Sequence, residues 1–359
     1  MQYYPIALVP GDGIGIDVID EGTKTLDCLG EVSCSFRFEY ERFPWGAEYY
    51  LRHGSMMADD ALERLEKFPA IYFGACGFPA LVPDHISLWG MILPIRKHFQ
   101  QYVNLRPIRL LPGLRGRLLD KGPDHIDFVC IRENTEGEYA GVGGRVHTGQ
   151  PYEVAIQSIV FTRTAVERII RYSFDYAVRS GRHQVASVTK SNAMQYNMVF
   201  WDEIFREVAR EYPSIRTTQY HVDAMAARFI THPETLDVVV ASNLFADILT
   251  DLGGALQGSM GMPPSANIDP TRQHPSMFEP VHGSAPDIAG KGIANPMAAI
   301  WAGQLMLDFL GLTDESQLLM RALEATTRDG SILTPDLGGK ATTWEVGEAV
   351  RGHVRRLAK

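Results

Sequence analysis

No two cysteines stand in a C-x-x-C pair, and the chain has only four: Cys28, Cys34, Cys76 and Cys130. They sit among apolar residues, a setting for reduced structural thiols in a reducing compartment rather than a disulfide frame. No block of Lys or Arg forms a nucleic-acid footprint, and the net charge is −9. No apolar run is long enough to span a bilayer. The most apolar helix candidate, 296–310, contains Asp308 and reads as a core or subunit-interface helix. The N-terminal MQYYPIALVPGDG has no basic stretch ahead of an apolar one, so no signal peptide is expected. Convincing repeats and low-complexity segments are also missing. The class expected is a soluble cytoplasmic protein with neither nucleic-acid nor membrane partners. Its 359 residues, 45% hydrophobic and 21% charged, suffice for two domain-sized cores or one large α/β unit with a second lobe.

A dinucleotide fingerprint is lacking as well. The strand 6–9 runs into Pro10-Gly-Asp-Gly-Ile-Gly15 and a helix over 16–29. Counted from Gly11, however, the sixth residue is Ile16, where G-x-G-x-x-G needs glycine. A Rossmann fold is not expected.

What is present gathers around NLFADILTDLGG, residues 243–254. The β-branched run 236–241 precedes it and reads as a buried parallel strand. Leu244, Ile248 and Leu252 then repeat at helical spacing until Gly253-Gly254 interrupts the pattern. Asp247 and Asp251 are four apart, so their carboxylates share a helix face about 40° apart around the axis. Oxygen ligands after a strand's C-terminal end suit Mg²⁺ or Mn²⁺ better than zinc. Arg132, Lys190 and Asp223 also lie just past apolar strand-like runs. Four charged residues at one end of a sheet suggest a pocket.

Elsewhere, 59–68 reads as an amphipathic helix and 70–73 as a strand. Residues 83–90 read as a structured loop entering a helix that holds Arg96, and 103–107 as its extended exit, carrying Arg106. The glycine-rich stretch 141–152 suggests an arm. Thr164-Ala-Val-Glu167 has the form of a capping box. It starts a helix with Val166, Ile169, Ile170, Phe174, Ala177 and Val178 on one face. Residues 258–275, rich in Pro, Gly and Ser, read as a crossing between lobes.

The loop FEPVHGSAPDIAGKGIANP, residues 278–296, resembles the nicotinamide-binding loop of the β-decarboxylating dehydrogenases, the isocitrate and isopropylmalate dehydrogenase family. The resemblance covers essentially the whole chain. It extends through GDGIG, Arg96 with VNLRP, RENTEGEY, VTKSN, HVDAM and NLFADILTD, in the family's order and spacing. It implies a two-lobed α/β fold with a central mixed sheet, distinct from the Rossmann fold. Residues 1–104 plus 260–359 would form the cofactor lobe. Residues 105–259 would form the substrate, metal and dimerisation lobe, with an arm near 140–155. The active sites would be shared between two subunits of a homodimer.

By the same resemblance, Arg96, Arg106 and Arg132 grip substrate carboxylates, Tyr139 is the acid that protonates the enol, and Lys190 is the base. Lys190 and Asp223 would reach across from the partner subunit. Asp223, Asp247 and Asp251 would hold the divalent cation, with K⁺ as an activator. Ile14, Asn192, Glu279, His282, Gly283, Ser284, Ala285, Asp287, Ile288 and Asn295 would bind the cofactor. Asp287 with Ile288 favours NAD, since a carboxylate accepts from a ribose 2′-hydroxyl but repels a 2′-phosphate. The reaction so implied moves a hydride from C2 to the nicotinamide, releases the carboxylate β to the new ketone as CO₂, and returns a proton to C3.

Substrate choice in this family lies before Arg96, where PDHISLWG looks most like the D-malate and tartrate subgroup. Trp89 and Ile92 would face the C3 substituent and offer no charge for a third carboxylate, which argues against isocitrate. D-malate is the expected substrate and tartrate the second. An isopropyl group would also suit Ile92 and Leu93, so 3-isopropylmalate stays as the alternative. A non-catalytic regulatory subunit is disfavoured, because the metal, base and acid positions are all retained.

Overall fold

Most strands form where β-branched and aromatic residues cluster, the glycine-rich β6 and the Pro-Ser-Ala-Asn-Ile β11 being exceptions: β1 (Gln2–Gly11), β2 (Phe36–Arg42), β3 (Ala70–Ala75), β4 (Val103–Arg109), β5 (Asp127–Glu133), β6 (Gly137–Val146), β7 (Val154–Val160), β8 (Gln184–Thr189), β9 (Arg216–His221), β10 (Val238–Ala241), β11 (Pro264–Ile268) and β12 (Ser276–Pro280). In the computed structural model, which describes residues 1–359, ten of them form one sheet ordered β2-β1-β3-β12-β11-β4-β5-β10-β8-β9. β6 and β7 make a separate hairpin. β11 is antiparallel to β12 and β4, and β4 is antiparallel to β5, whereas every other pairing in that sheet is parallel. The mixed sheet is the one expected, and the antiparallel centre separates it from a Rossmann fold.

The centre of that sheet has two unlike faces. Side chains alternate along a strand, so the pairings Asn104–Arg132, Asn267–Asn104 and Ser265–Glu279 put these residues and Arg106 on one face. Leu105, Ile131, Ala266 and Phe278 point the other way and are buried. The helix Met297–Phe309 covers part of this apolar face, with Tyr72 donating to the carbonyl of Ala299 at 2.6 Å. A large apolar core occupies that side. A second cluster, including Phe43, Trp45, Met91, Ile95 and Phe99, packs beneath the segment that carries Arg96. No helix is long and apolar enough to cross a membrane.

Several local expectations are corrected. The helix Arg163–Arg179 is capped by Thr162, whose hydroxyl accepts from the Ala165 N–H at 3.2 Å. Thr164 lies inside that helix, and Glu167 pairs with Arg171 rather than closing a box. Val178 is exposed, unlike the other five residues assigned to its buried face. Gly253-Gly254 does not end its helix, which runs Asn243–Leu256. A Cβ at Gly253 would stand 2.5 Å from Ile108 Cδ1, so glycine lets this helix lie close on β4. Residues 258–275 are not irregular throughout, since they contain the central strand β11. The helix expected over 59–68 is confined to Ala61–Leu65, whereas residues 103–107 are extended as expected, within the central strand β4.

Candidate active site

On the polar face, β4 and β5 deliver two guanidiniums and the helix Leu93–His98 a third. Arg96, Arg106 and Arg132 are 6%, 6% and 2% exposed, which makes their desolvation expensive unless anions face them. Two carboxylates do so. Glu279 at the end of β12 accepts from Arg96 NH2 at 2.8 Å. Asp247 meets Arg106 at 3.5 Å and a charge-assisted bond from Arg132. Burial and the neighbouring Arg132 push the Arg106 pKa down to about 10. Burial alone would raise the Asp247 carboxyl, but Arg132, Arg106 and Arg96 outweigh it and hold its pKa below the usual range.

Asp247 lies on the helix Asn243–Leu256, whose start follows β10 as the sequence suggests. Its Oδ2 accepts from the Tyr139 hydroxyl at 3.2 Å. Tyr139 stands on β6 beside Arg132, whose Cζ is 5.6 Å from the ring centre. Burial and Asp247 both raise the Tyr139 pKa, keeping the phenol protonated. Asp251, one turn beyond Asp247, is exposed. Its carboxyl is pushed up first by desolvation and then by the like charge of Asp247.

Lys190 and Asp223 are brought together but away from this cluster. Lys190 Nζ donates to Asp223 Oδ1 at 2.8 Å, and neither residue makes an ion pair with the three arginines or bonds the other two aspartates. Asp223 is largely exposed in the first turn of the helix Val222–Thr231. Because β5, β10, β8 and β9 are mutually parallel, Arg132, Lys190, Asp223 and Asp247 do share one edge of the sheet. Within one chain, however, no three acidic, His or Cys side chains gather as a metal would need. Asp247 and Asp251 are a two-carboxylate start for a hard cation, with the donor chemistry of Mg²⁺ or Mn²⁺.

The residues expected to bind a cofactor are partly joined. The Ile14 N–H donates to the Ser284 carbonyl at 2.8 Å, bringing the glycine turn against the 282–295 loop. Gly13, at φ 55°, permits this approach, because a Cβ there would stand 2.0 Å from Ser284 O. His282 Nδ1 contacts the Gly283 carbonyl, while its Nε2 is buried without a partner, an atom a bound group could satisfy. Burial lowers the His282 pKa, so the ring is neutral near pH 7. Ala285 has φ 38°, and Ile288 closes a turn onto it. Gly283 and Asp287 are exposed. Asn295 donates to Asp336 at 3.0 Å and accepts from the Met297 N–H at 3.0 Å. Asn192 is exposed in the turn after Lys190, with no hydrogen bond to this loop.

Trp89 and Ile92 lie on a π-type turn, Leu88–Ile92, in the helical segment leading to Arg96. Ile92 packs on the second core cluster, while Trp89 is 40% exposed and lies against Gly141 of the arm. Lys97 Nζ sits 4.8 Å from the Trp89 ring and donates to the Ala140 carbonyl at 3.3 Å. Nothing in the local pattern singled out this lysine, which bonds the arm through one N–H.

Asn243 was also missed. Its Oδ1 accepts from Arg132 Nε at 2.9 Å and NH2 at 2.7 Å, and Thr250, equally unremarked, meets Arg106. Both are at helical spacing from Asp247 (i−4 and i+3), so the signal was present. Asp12 is a third omission. Its carboxylate accepts from the Ala47 N–H at 2.7 Å and the Gly77 N–H at 2.9 Å, tying the glycine turn to two other segments.

Comparison with known proteins agrees with this geometry. The family described as isocitrate/isopropylmalate dehydrogenase matches residues 5–350. The D-malate dehydrogenase [decarboxylating] of Escherichia coli K12 is 52% identical over 356 residues, 98% of each chain. The probable tartrate dehydrogenase/decarboxylase of Bacillus subtilis 168 is 49% identical over 357 residues, 99% of each. The crystal structure of isocitrate dehydrogenase from Methylococcus capsulatus superposes with a TM-score of 0.87 at 34% identity, covering 98% of this chain and 99% of that one. With its mixed sheet, its buried arginines on one central face and these matches over nearly its full length, the chain belongs to the isocitrate/isopropylmalate dehydrogenase family and is an enzyme of the decarboxylating dehydrogenase type.

Proposed function

We propose that this enzyme catalyses the NAD-dependent oxidative decarboxylation of a (2R)-2-hydroxydicarboxylate, D-malate to pyruvate and CO₂, with tartrate as a second substrate. One observation carries the reading most directly: three buried guanidiniums converge where only Asp247 and Glu279 oppose them. A dicarboxylate supplies the missing negative charge, and arginine receives carboxylates through paired N–H donors. The names of the relatives at about half identity, D-malate and tartrate dehydrogenases, support the same substrate class. Trp89 and Ile92 themselves offer no charge to a third carboxylate, and the Lys97 beside Trp89 donates to the Ala140 carbonyl of the arm.

When bound, NAD would accept the hydride from C2 and a divalent cation, Mg²⁺ or Mn²⁺, would draw electron density from the hydroxyl, with K⁺ as an activator. Asp247 and Asp251 of one subunit and Asp223 of the other would hold the cation. Lys190 of that other subunit takes the hydroxyl proton. Tyr139, held protonated by its surroundings, donates to C3 after CO₂ departs. Asp287 accepts from the adenosine ribose.

The shared site rests on a homodimer. In its support, the β6–β7 hairpin carries exposed Val142, Val146, Val154 and Ile156 away from the main sheet. Lys190→Met should abolish turnover while NAD binding persists. A mixture of Lys190→Met and Tyr139→Phe chains, refolded together, should regain activity if each site draws on two subunits. No recovery would sink the shared site. A kcat/KM comparison among D-malate, meso- and L-tartrate, 3-isopropylmalate and isocitrate tests the substrate, and more than about tenfold preference for isopropylmalate would overturn it, a margin that one or two methylenes can produce.

A further inference from the structure

Asn267 is 0% exposed and lies at the middle of the polar face, on β11. Its amide is fully used. Oδ1 accepts from Asn104 Nδ2 at 2.8 Å and from Asn134 Nδ2 at 2.9 Å. Nδ2 donates to Glu279 Oε1 at 2.7 Å and to the Met277 carbonyl at 3.3 Å. The two donors on its oxygen side decide the orientation, since a flipped amide would set NH₂ against NH₂ twice and leave a carbonyl facing a carboxylate.

Each partner of this amide is tied to the carboxylate grip. Asn104 is two residues before Arg106 on the same face of β4, and Asn134 is two residues beyond Arg132. Asn134 is itself pinned by the Gln101 carbonyl at 2.9 Å, and Asn104 by Ser265 Oγ at 2.7 Å. Glu279 Oε1 is the sole side-chain acceptor of Arg96, whose Nε is buried without a partner. Glu279 is itself the second residue of the loop expected to hold the cofactor, 278–296. A buried amide costs stability unless satisfied, and an aliphatic side chain would fill the space at lower risk. What asparagine adds here is direction.

We propose that Asn267 is a positioning residue: its amide aims the Glu279 carboxylate, and through it the Arg96 guanidinium, so that the dicarboxylate grip and the start of the cofactor loop are set together. This rests on the functional reading above for the identity of the two ligands.

The test is a double-mutant cycle on the full-length enzyme with Asn267→Ala and Glu279→Gln, plus Asn267→Ser as a gentler variant whose hydroxyl is too short to reach Glu279. Asn267→Ala should raise the KM for D-malate and the Kd for NADH, read by fluorescence titration without turnover, each by about tenfold. Saturated kcat should fall less than about threefold, the split expected when binding rather than chemistry is disturbed. In the Glu279→Gln background the same change should add less than about twofold, because the residue it acts through is already altered. Independent, multiplying effects in the two backgrounds would overturn the proposal. So would a lowered Tm with KM and Kd unchanged in both the Ala and Ser variants. Failure of the wild-type enzyme to oxidise any of the hydroxy acids would refute the functional reading, whereas the NADH titration judges Asn267 separately.

Discussion

Asp247→Asn tests the electrostatic core of the site. The side chain is nearly isosteric, but an amide has one acceptor oxygen where the carboxylate offers one to Arg132 and one to Tyr139, so the change removes the charge and one of these two accepted bonds. In the native chain three guanidiniums form ion pairs with two carboxylates, a balance of +1 among the paired groups, with Asp251 acting on Arg106 and Arg132 from one turn further along the helix. The substitution makes it +2 around arginines that are at most 6% exposed. Stripping one partner from a fully buried pair costs about 3–5 kcal/mol, and an exposed pair is worth ~1 kcal/mol or less. Asp247 is 38% exposed, so a loss of about 1–3 kcal/mol is expected. For 359 residues the unfolding entropy is about 0.75 kcal/mol per kelvin, which places the Tm drop at ~1–4 °C. Calorimetry without divalent cation or dicarboxylate is the assay.

The sign of the pH dependence is fixed by Asp247 having a depressed folded pKa. Its contribution is complete above the unfolded value of about 3.9 and is lost as pH falls through the lower folded value. The gap between the two proteins should therefore be widest near neutrality and close in strong acid. Added D-malate should narrow it at pH 7, since a bound dianion replaces the missing charge. A variant as stable as wild type at pH 7, or a gap independent of pH, would refute the reasoning.

Asp251→Asn should raise apo-protein stability by a few tenths of a kcal/mol by relieving an i,i+4 like-charge pair. The raised folded pKa of Asp251 means that native-state destabilisation grows as pH rises through the unfolded and then the folded value. The gain should thus be present at pH 7 and vanish in strong acid, and the same variant should lose any Tm increase that Mn²⁺ gives the wild type. Tyr139→Phe should lower kcat by about 10²–10⁴ with little change in dicarboxylate affinity, the range for a lost general acid. Steady-state kinetics would show a KM effect instead if Tyr139 only binds. Thr162→Ala should cost about 1 kcal/mol as a lost helix cap, measured by denaturant unfolding, whereas Thr164→Ala, inside the helix, should cost little.

The mixed α/β class, the parallel strands beneath Arg132 and Lys190, and the shared sheet edge of Arg132, Lys190, Asp223 and Asp247 were legible in the chain. They depend on local patterns: apolar runs for strands, charges at their ends, and long motifs whose order survives. Glycine and proline misled more. Gly253-Gly254 and the Pro/Gly/Ser-rich 258–275 read as interruptions, yet tertiary contact turned the first into a close helix–sheet approach and the second into a central strand. Propensity yields there because burial against Ile108 or between β12 and β4 outweighs the local preference for a turn.

Residue order alone was enough to dictate where charge sits, which runs are apolar enough to be strands, and which family's motifs they compose. Folding added what no local pattern encodes: Asn267 lies directly opposite Asn104 on the neighbouring strand and turns its amide toward Glu279, and so toward Arg96. Strand register sets that arrangement. A one-residue slip of its strand would send Asn104, Asn267 or Glu279 to the apolar face, and register follows from the packing of the whole sheet.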